Sequence, residues 1–219
     1  MQGLSDSSGI VFSFRLFFFL LSVSNPNEVM HRIVIFASGS GTNAENIIRH
    51  FKSSSMARVK WVLCNKEGAG VLSRAERLGV PTRVFTKKEL FSKEFLDFVI
   101  AEGDFVVLAG FLLKVPDELT RAFEGAMVNI HPALLPKYGG KGMYGMNVHR
   151  AVVENREKES GITIHFVNEN YDEGAIIFQA KVAVDEDDRP EDVARKIHIL
   201  EQENFPAVIE QVIRKADEG

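Results

Sequence analysis

Cysteine, tryptophan and tyrosine are scarce in this 219-residue sequence, which contains one, one and three of them. The single thiol, Cys64, cannot form a disulfide within the chain, which favours a reducing compartment and predicts a cytoplasmic protein. Positive charge is not in excess either. The sequence has 26 Lys and Arg and 30 Asp and Glu, so its formal net charge is -4. That balance argues against broad nucleic-acid binding but leaves room for a local pocket for one phosphate group.

A hydrophobic run long enough to span a bilayer is also missing. The densest apolar stretch, residues 10–23, is too short for a transmembrane helix and is interrupted by Arg15. No Lys or Arg precedes it, although a secretory signal would begin with basic residues. We interpret residues 1–29 as a non-functional N-terminal extension read from an upstream start codon, with Met30 beginning the functional protein. A targeting or anchoring segment is the alternative, and no membrane partner is expected.

Residues 30–219 alternate between short apolar runs and longer helix-compatible stretches, as a parallel sheet with crossover helices requires. With 45% hydrophobic residues and no low-complexity linker, this part is predicted to form one domain. The predicted fold is α/β: a Rossmann-like, mostly parallel sheet with flanking helices, extended by a C-terminal hairpin. The predicted strands are 32–36, 60–64, 82–85, 105–108, 126–130, 162–168 and 175–184, and the last two helices are 148–155 and 190–214, the second with Asp188 as a possible N-cap.

Residues 38–43, Ser-Gly-Ser-Gly-Thr-Asn, lie between the first predicted strand and a helix that begins near Ala44. Glycines allow a ligand to approach the backbone closely, and free amides at a helix N-terminus attract anions. No Lys follows the last glycine as in a P-loop, and the full G-x-G-x-x-G spacing of a dinucleotide site is absent. The loop suits a single phosphate monoester. A tight turn with Thr42 or Asn43 as helix cap is the alternative.

Asn129 and His131 lie two residues apart on the predicted strand that ends before Pro132. Side chains alternate along a strand, so both point to the same face, near the carboxyl end where open α/β sheets bind ligands. The pair is a candidate site, and a hydrogen-bonded structural histidine is the alternative. Asp172 lies in the turn Asn-Tyr-Asp-Glu-Gly at 170–174, where a solvated turn former is the simpler interpretation.

Taken together, these motifs resemble the folate-dependent formyltransferases. The resemblance covers nearly all of residues 31–219. It rests on runs in the same order and spacing: 38–43, Val-Leu-Ala-Gly-Phe at 107–111, Asn-Ile-His-Pro-Ala-Leu-Leu-Pro at 129–136, Ile-His-Phe-Val at 164–167 and Tyr-Asp-Glu-Gly at 171–174. It implies the formyltransferase fold and an enzyme that moves a formyl group from 10-formyltetrahydrofolate to an amine without a metal. The glycine loop implies the branch that acts on glycinamide ribonucleotide in purine biosynthesis.

The resemblance also implies that Asn129, His131 and Asp172 are catalytic. Asn129 would donate a hydrogen bond to the formyl oxygen as negative charge develops there, and a cationic His131 would do the same. Asp172 would hold His131 in its charged form and help relay a proton from the attacking amine to the departing folate nitrogen. These roles match the chemistry that formyl transfer needs.

The ligand contacts are likewise implied by the resemblance. The ribonucleotide is expected to contact Ser40, Gly41, Thr42, Asn43, Glu201 and a basic side chain, for which Lys88 and Lys93 are candidates. The folate is expected to contact Phe111, Leu112, Leu113, Lys114, Val115, His165 and Phe166. The glycine-rich stretch 137–144 is expected to form a flap on the folate side. The predicted enzyme is a monomer or homodimer that binds no nucleic acid.

Three other interpretations share part of this pattern. A methionyl-tRNA formyltransferase carries a further C-terminal RNA-binding domain, and a formyltetrahydrofolate deformylase carries an N-terminal regulatory domain far larger than 29 residues. Neither addition is expected here. A non-catalytic nucleotide-binding module could use the same glycine loop, but it would leave Asn129, His131 and Asp172 without a role.

Overall fold

A computed structural model describes residues 30–218 of the chain, and the predicted extension 1–29 lies outside the described residues. Strands and helices alternate along most of this part. In chain order the elements are β1 (His31–Ala37), α1 (Thr42–Phe51), β2 (Ala57–Cys64), α2 (Gly70–Arg77), β3 (Thr82–Val84), α3 (Lys87–Leu90), α4 (Lys93–Glu102), β4 (Phe105–Leu108), α5 (Asp117–Ala122), β5 (Met127–His131), α6 (Met146–Glu154), β6 (Glu159–Phe166), β7 (Ile176–Ala183) and α7 (Pro190–Asp217).

The strands form one sheet in the order β3-β2-β1-β4-β5-β6-β7. The first five are parallel, and β6 pairs antiparallel with both β5 and β7. The chain moves outward from β1 to β2 and β3, then returns to the other side of β1 to form β4. The strand order therefore reverses beside β1, and ligands bind open α/β sheets in the crevice at such a point, outside the carboxyl ends of the strands.

Strand β1 is buried on both faces, as a central parallel strand requires. Ile33 and Ile35 belong to a hydrophobic cluster that includes side chains of α1 and α7, whereas Val34 and Phe36 belong to a second cluster that includes α4 and α5. All four side chains are fully buried. Two helical layers thus cover the sheet and fix the strand ends that carry the site.

The predicted fold class is confirmed, with local differences. Strand β4 has the predicted bounds, whereas β2 begins at Ala57 rather than at residue 60. The predicted hairpin is present as β6 and β7, but it is not C-terminal, because α7 follows it and packs against α1, α6 and β6. Within residues 30–218, no helix combines the length and the apolar character that crossing a membrane would need.

The start of α7 differs from the prediction. The N-cap is Arg189, whose backbone amide donates to the carboxylate of Asp192 at 2.9 Å. Asp188, the predicted cap, instead accepts from the amide of Asp185 and from Lys196 Nζ and so closes the preceding loop. The carboxylate that accepts from the N-cap amide therefore belongs to Asp192, the third residue of the helix, as in one half of a capping box.

Candidate active site

A cleft of about 750 Å³ opens at the carboxyl ends of β1, β4 and β5. Its walls come from the loops after these strands, the glycine-rich segment before α6, the turn after β6 and the inner face of α7. The predicted site residues that line it are Ser40, Gly41, Thr42, Asn43, Phe111, Leu112, Asn129, His131, Asp172 and Glu201. The structure therefore brings the three predicted catalytic residues and the glycine loop into one cleft.

The glycine loop leads into α1 without a side-chain cap. Gly41 is the N-cap, with φ 81°, and no side chain there bonds to the first-turn amides. A Cβ on Gly41 would lie 2.5 Å from Val71 Cα, so only glycine fits. The interpretation of Thr42 or Asn43 as cap is therefore wrong. Uncapped first-turn amides at a cleft form a ready site for an anion.

Neighbouring segments hold this loop in place. The Ser38 hydroxyl donates to Asn65 Oδ1 at 2.6 Å and accepts from the Leu112 amide at 3.0 Å. Arg74 Nε donates to the Ser40 carbonyl at 2.9 Å. The loop is thus tied to the segments that follow β2 and β4, which preorganises its amides for a ligand.

Asn129 is oriented by His165, its direct neighbour across the β5–β6 pair. His165 Nδ1 lies 2.7 Å from the Phe166 carbonyl, and Asn129 Nδ2 lies 3.1 Å from His165 Nε2. A carbonyl can only accept, so Nδ1 carries the proton and, in the neutral ring, Nε2 accepts one N–H of Asn129. The second N–H of Asn129 is then available to a ligand in the cleft.

The orientation of the His131 ring and the position of its proton are also set by a hydrogen bond to a backbone carbonyl. Its Nε2 lies 2.7 Å from the Tyr138 carbonyl, so Nε2 must carry a proton. Nδ1 lies 3.5 Å from Asp172 Oδ2, and the side chain is only 4% exposed. In the neutral ring Nδ1 is unprotonated, and it is the nitrogen left to accept a proton from a ligand.

Asp172 is a partly buried member of this cluster rather than a fully solvated turn residue. Its side chain is 13% exposed, Oδ2 accepts from the Gly140 amide at 2.9 Å, and Oδ1 lies 3.6 Å from His165 Nε2. The residue has a positive φ of 57°, a conformation that Asp and Asn tolerate better than most residues. Asp172 thus lies between the imidazoles of His131 and His165.

The charges of the open cleft follow from burial and from these contacts. Burial lowers the pKa of His131, and this outweighs the carboxylate of Asp172 and the Tyr138 carbonyl, which raise it. Burial opposes ionisation of Asp172, yet His165, His131 and the Gly140 amide together bring its pKa below the ordinary value. The open cleft therefore holds a carboxylate beside a neutral imidazole near pH 7. The lowered pKa disfavours the expected cationic His131, because the ring is withdrawn from water.

At the far end of the cleft, Asn43 joins α1 to α7. Its Nδ2 donates to Glu201 Oε2 at 3.0 Å, and its Oδ1 accepts from Gln202 at 2.7 Å. Burial raises the pKa of Glu201, and its contacts with Asn43 and His198 only partly offset this rise. With the Asn43 side chain engaged in this way, its backbone amide is the group left to a ligand.

Most of the predicted folate residues line a smaller cavity of about 80 Å³ beside the cleft. It shares Asn129 and Asp172 with the cleft, so a ligand could extend from one into the other. The predicted residues there are Phe111, Leu113, Lys114, Val115 and His165, while Leu112 lines the main cleft. Phe166 lines neither, since it pairs with Val128 in the sheet and its carbonyl accepts from His165.

Lys88 is the predicted ribonucleotide contact that the structure does not bring to the cleft. It lies on α3, which follows the edge strand β3, whereas the cleft lies beside β1. Lys93, the other candidate, pairs with Asp97 at 2.6 Å on the surface of α4. Lys66 and Lys141 line the cleft instead. Lys66 could have been found from its place just after β2, next to the point where the strand order reverses.

Two titratable cleft residues, His149 and His198, had no place in the sequence analysis. Tyr144 and Tyr171 also line the cleft and come from the predicted flap 137–144 and the turn 170–174. His198 had a usable signal, because it precedes Glu201 by one helical turn on α7 and so shares its face. In residues 30–218 there is no group of three or more acidic, His or Cys side chains that could hold a metal ion.

The fold and the cleft together define an α/β protein in which an uncapped helix start and a cluster of titratable side chains share one cleft at the switch point of the sheet. The family model for formyl transferase matches residues 31–209. The chain belongs to this family, and the family predicted from the sequence is thereby confirmed.

Relatives and solved structures agree with this assignment. A phosphoribosylglycinamide formyltransferase, chloroplastic, of Arabidopsis thaliana is 40% identical over 86% of this chain and 68% of its own length. The phosphoribosylglycinamide formyltransferase of Bacillus subtilis is 34% identical over 87% of this chain and 98% of its own. The crystal structure of glycinamide ribonucleotide transformylase 1 from Symbiobacterium toebii matches with a TM-score of 0.77 at 33% identity, over 85% of this chain and 89% of that one.

Proposed function

We propose that this protein transfers the formyl group of 10-formyltetrahydrofolate to the amine of glycinamide ribonucleotide, the formyl-transfer step of purine biosynthesis. The observation that carries the proposal is one cleft that combines an uncapped helix N-terminus with the cluster of Asn129, His131 and Asp172. The loop suits the ribonucleotide phosphate, and the cluster suits acyl transfer between two nitrogens. Relatives that carry the corresponding name align over most of the chain.

The reaction forms a bond from the substrate amine to the formyl carbon and breaks the bond from that carbon to folate N10. Negative charge develops on the formyl oxygen, and the free N–H of Asn129 is the donor for it. The amine must lose a proton and N10 must gain one. His131 Nδ1 takes the proton from the amine and returns it to N10, while the Asp172 carboxylate stabilises the imidazolium formed in between.

The glycine loop offers a test of the phosphate assignment. Gly39 lines the cleft, and a Cβ there would meet nothing within 4 Å, so Gly39→Ala should leave the fold intact. The added methyl group would keep a phosphate from close approach to the loop. Hydrogen bonds to charged groups are worth about 1.5–3 kcal/mol, so we expect KM for glycinamide ribonucleotide to rise about tenfold or more. Steady-state kinetics with each substrate varied in turn should show an unchanged KM for the folate.

Gly41→Ala is the contrasting variant. Its Cβ would overlap the Val71 backbone at a positive φ, so we expect a lower melting temperature rather than a selective KM effect. Equal KM changes for both substrates in a stable Gly39→Ala protein would show that the phosphate does not bind at this loop.

Lys66 is the proposed basic partner of the phosphate, since it lines the cleft just beyond β2, whereas Lys88 does not. We expect Lys66→Gln to raise KM for glycinamide ribonucleotide by up to about fivefold, as for a partly screened ion pair worth about 1 kcal/mol. The effect should shrink at higher ionic strength. Lys88→Gln is the matched control and should leave both KM values unchanged. If Lys88→Gln raised KM for glycinamide ribonucleotide more than Lys66→Gln did, the phosphate contact would belong to Lys88, as the sequence analysis expected.

The activity itself is tested by the absorbance change as 10-formyltetrahydrofolate is consumed, with and without glycinamide ribonucleotide. We expect consumption only when the ribonucleotide is present, with formation of its formylated amine. Consumption without an amine would indicate a hydrolase. If the protein bound the ribonucleotide but consumed no folate with it or with any other amine, the chain would be a non-catalytic nucleotide-binding module.

A further inference from the structure

Tyr138 contacts His131 from outside the cleft, and its conformation is unusual. Among residues 30–218 it is one of three non-glycine residues with a positive φ, at 59°. Its backbone carbonyl accepts from His131 Nε2 at 2.7 Å. Its side chain does not line the cleft and packs against the hydrophobic core on the other side of the loop. A bulky residue in this conformation persists only where its surroundings hold it there.

Glu157 is the group that holds the Tyr138 side chain. The Tyr138 hydroxyl donates to Glu157 Oε1 at 2.8 Å, and Lys137 Nζ lies 2.9 Å from the same oxygen. Lys137 and then the Tyr138 hydroxyl lower the pKa of Glu157, so the acceptor is a carboxylate. Hydrogen bonds to a charged acceptor are shorter and stronger than neutral ones. Glu157 lies between α6 and β6 and, like Tyr138, is outside the lining of the cleft.

We propose that the Tyr138–Glu157 hydrogen bond is a positioning device for His131. It keeps the Tyr138 carbonyl at His131 Nε2, so the ring proton stays on Nε2 and Nδ1 is left beside Asp172 to accept the proton of the substrate amine. The role in transfer rests on the proposed function. The role in fixing the ring proton does not, and it can be measured without substrate.

The kinetic test uses variants at both ends of the hydrogen bond. We expect Tyr138→Phe and Glu157→Ala each to lower kcat by roughly tenfold, as for a catalytic group displaced by a fraction of an ångström, with both KM values unchanged. The double variant should be no worse than either single one, because both remove the same interaction. Glu157→Gln keeps an acceptor for the hydroxyl and should retain most of kcat. Glu159→Ala, which removes a nearby carboxylate paired with Lys181, is the matched control and should behave as wild type.

Two further readouts separate positioning from general loss of structure. The Tyr138 carbonyl raises the pKa of His131, so loosening it lowers that pKa, and the acid limb of the pH–rate profile should move to lower pH. Nitrogen-15 NMR of His131 without substrate should show the proton on Nε2 in the wild type and in Glu157→Gln. It should show a mixture of tautomers in Tyr138→Phe and Glu157→Ala.

Wild-type kcat, pH profile and tautomer in Tyr138→Phe and Glu157→Ala would overturn the proposal. An equal loss in Glu159→Ala would do the same, because it would mark a nonspecific effect of charge. If the wild type failed to transfer the formyl group, the proposed function would fail, and the NMR comparison alone would still decide whether Glu157 fixes the His131 proton.

Discussion

Replacing Asp172 by Asn should lower kcat for formyl transfer by about 100-fold or more, as expected for the loss of a positioned acid–base group. The carboxylate stabilises the imidazolium that forms when His131 Nδ1 takes the amine proton, and a neutral amide cannot. Asn is the appropriate replacement because it tolerates the positive φ of 57° and keeps one oxygen that can accept from the Gly140 amide. KM values should change little. Steady-state kinetics and a thermal melt on the same preparation check both points.

Asp172→Asn should also shift the pH–rate profile, and the direction of that shift can be predicted. Asp172 raises the pKa of His131 against the effect of burial, so its neutralisation lowers that pKa further. If neutral Nδ1 is the proton acceptor, activity is lost as the pH falls through the pKa of His131. The acid limb of kcat/KM should therefore move to lower pH in Asp172→Asn even as the plateau falls. Glu173→Gln, the same change of charge at the next residue, should leave both features unchanged. A stable Asp172→Asn protein within a few-fold of wild type would assign proton transfer to another group.

The sequence was sufficient for the architecture of the site because the relevant signals are local. Apolar runs locate β1, β4 and β5, and the period of two along β5 places Asn129 and His131 on one face. The carboxyl ends of parallel strands lie at one edge of a sheet, so the glycine loop and this pair had to be near one another. The placement of Asp172 came from resemblance alone, since acidic turns are common.

What the sequence could not supply depends on backbone groups and on strand order. The carbonyl of Tyr138 and the amide of Gly140 bind His131 and Asp172, and every residue type offers such groups. The sequence analysis offered Lys88 and Lys93 and did not consider Lys66, because the position of β3 at the sheet edge is a property of topology. The lowered pKa of His131 follows from burial, which a strand pattern does not quantify.

Removing the imidazole of His131 should have the largest effect. We expect His131→Gln to lower kcat by roughly 100- to 10,000-fold, the range associated with loss of a general acid–base group. The glutamine amide is long enough to replace Nε2–H as donor to the Tyr138 carbonyl, so the loop should keep its place while the proton acceptor is lost. The limb of the pH profile that belongs to His131 should disappear. Stopped-time assays with high enzyme concentration can measure such a residual rate.

His131→Ala provides the complementary variant, since it leaves a buried space beside Asp172 where the ring was. Added imidazole should restore part of kcat, and the restored rate should follow the ionisation of free imidazole, because the neutral form accepts the proton. Rescue that is absent in His131→Gln, where the space is filled, would tie the effect to this position. If instead His131→Gln kept kcat within a few-fold of wild type, the ring would serve only to orient Asp172 and the loop at Tyr138. The carboxylate, aided by a water, would then have to carry the proton from the amine to N10.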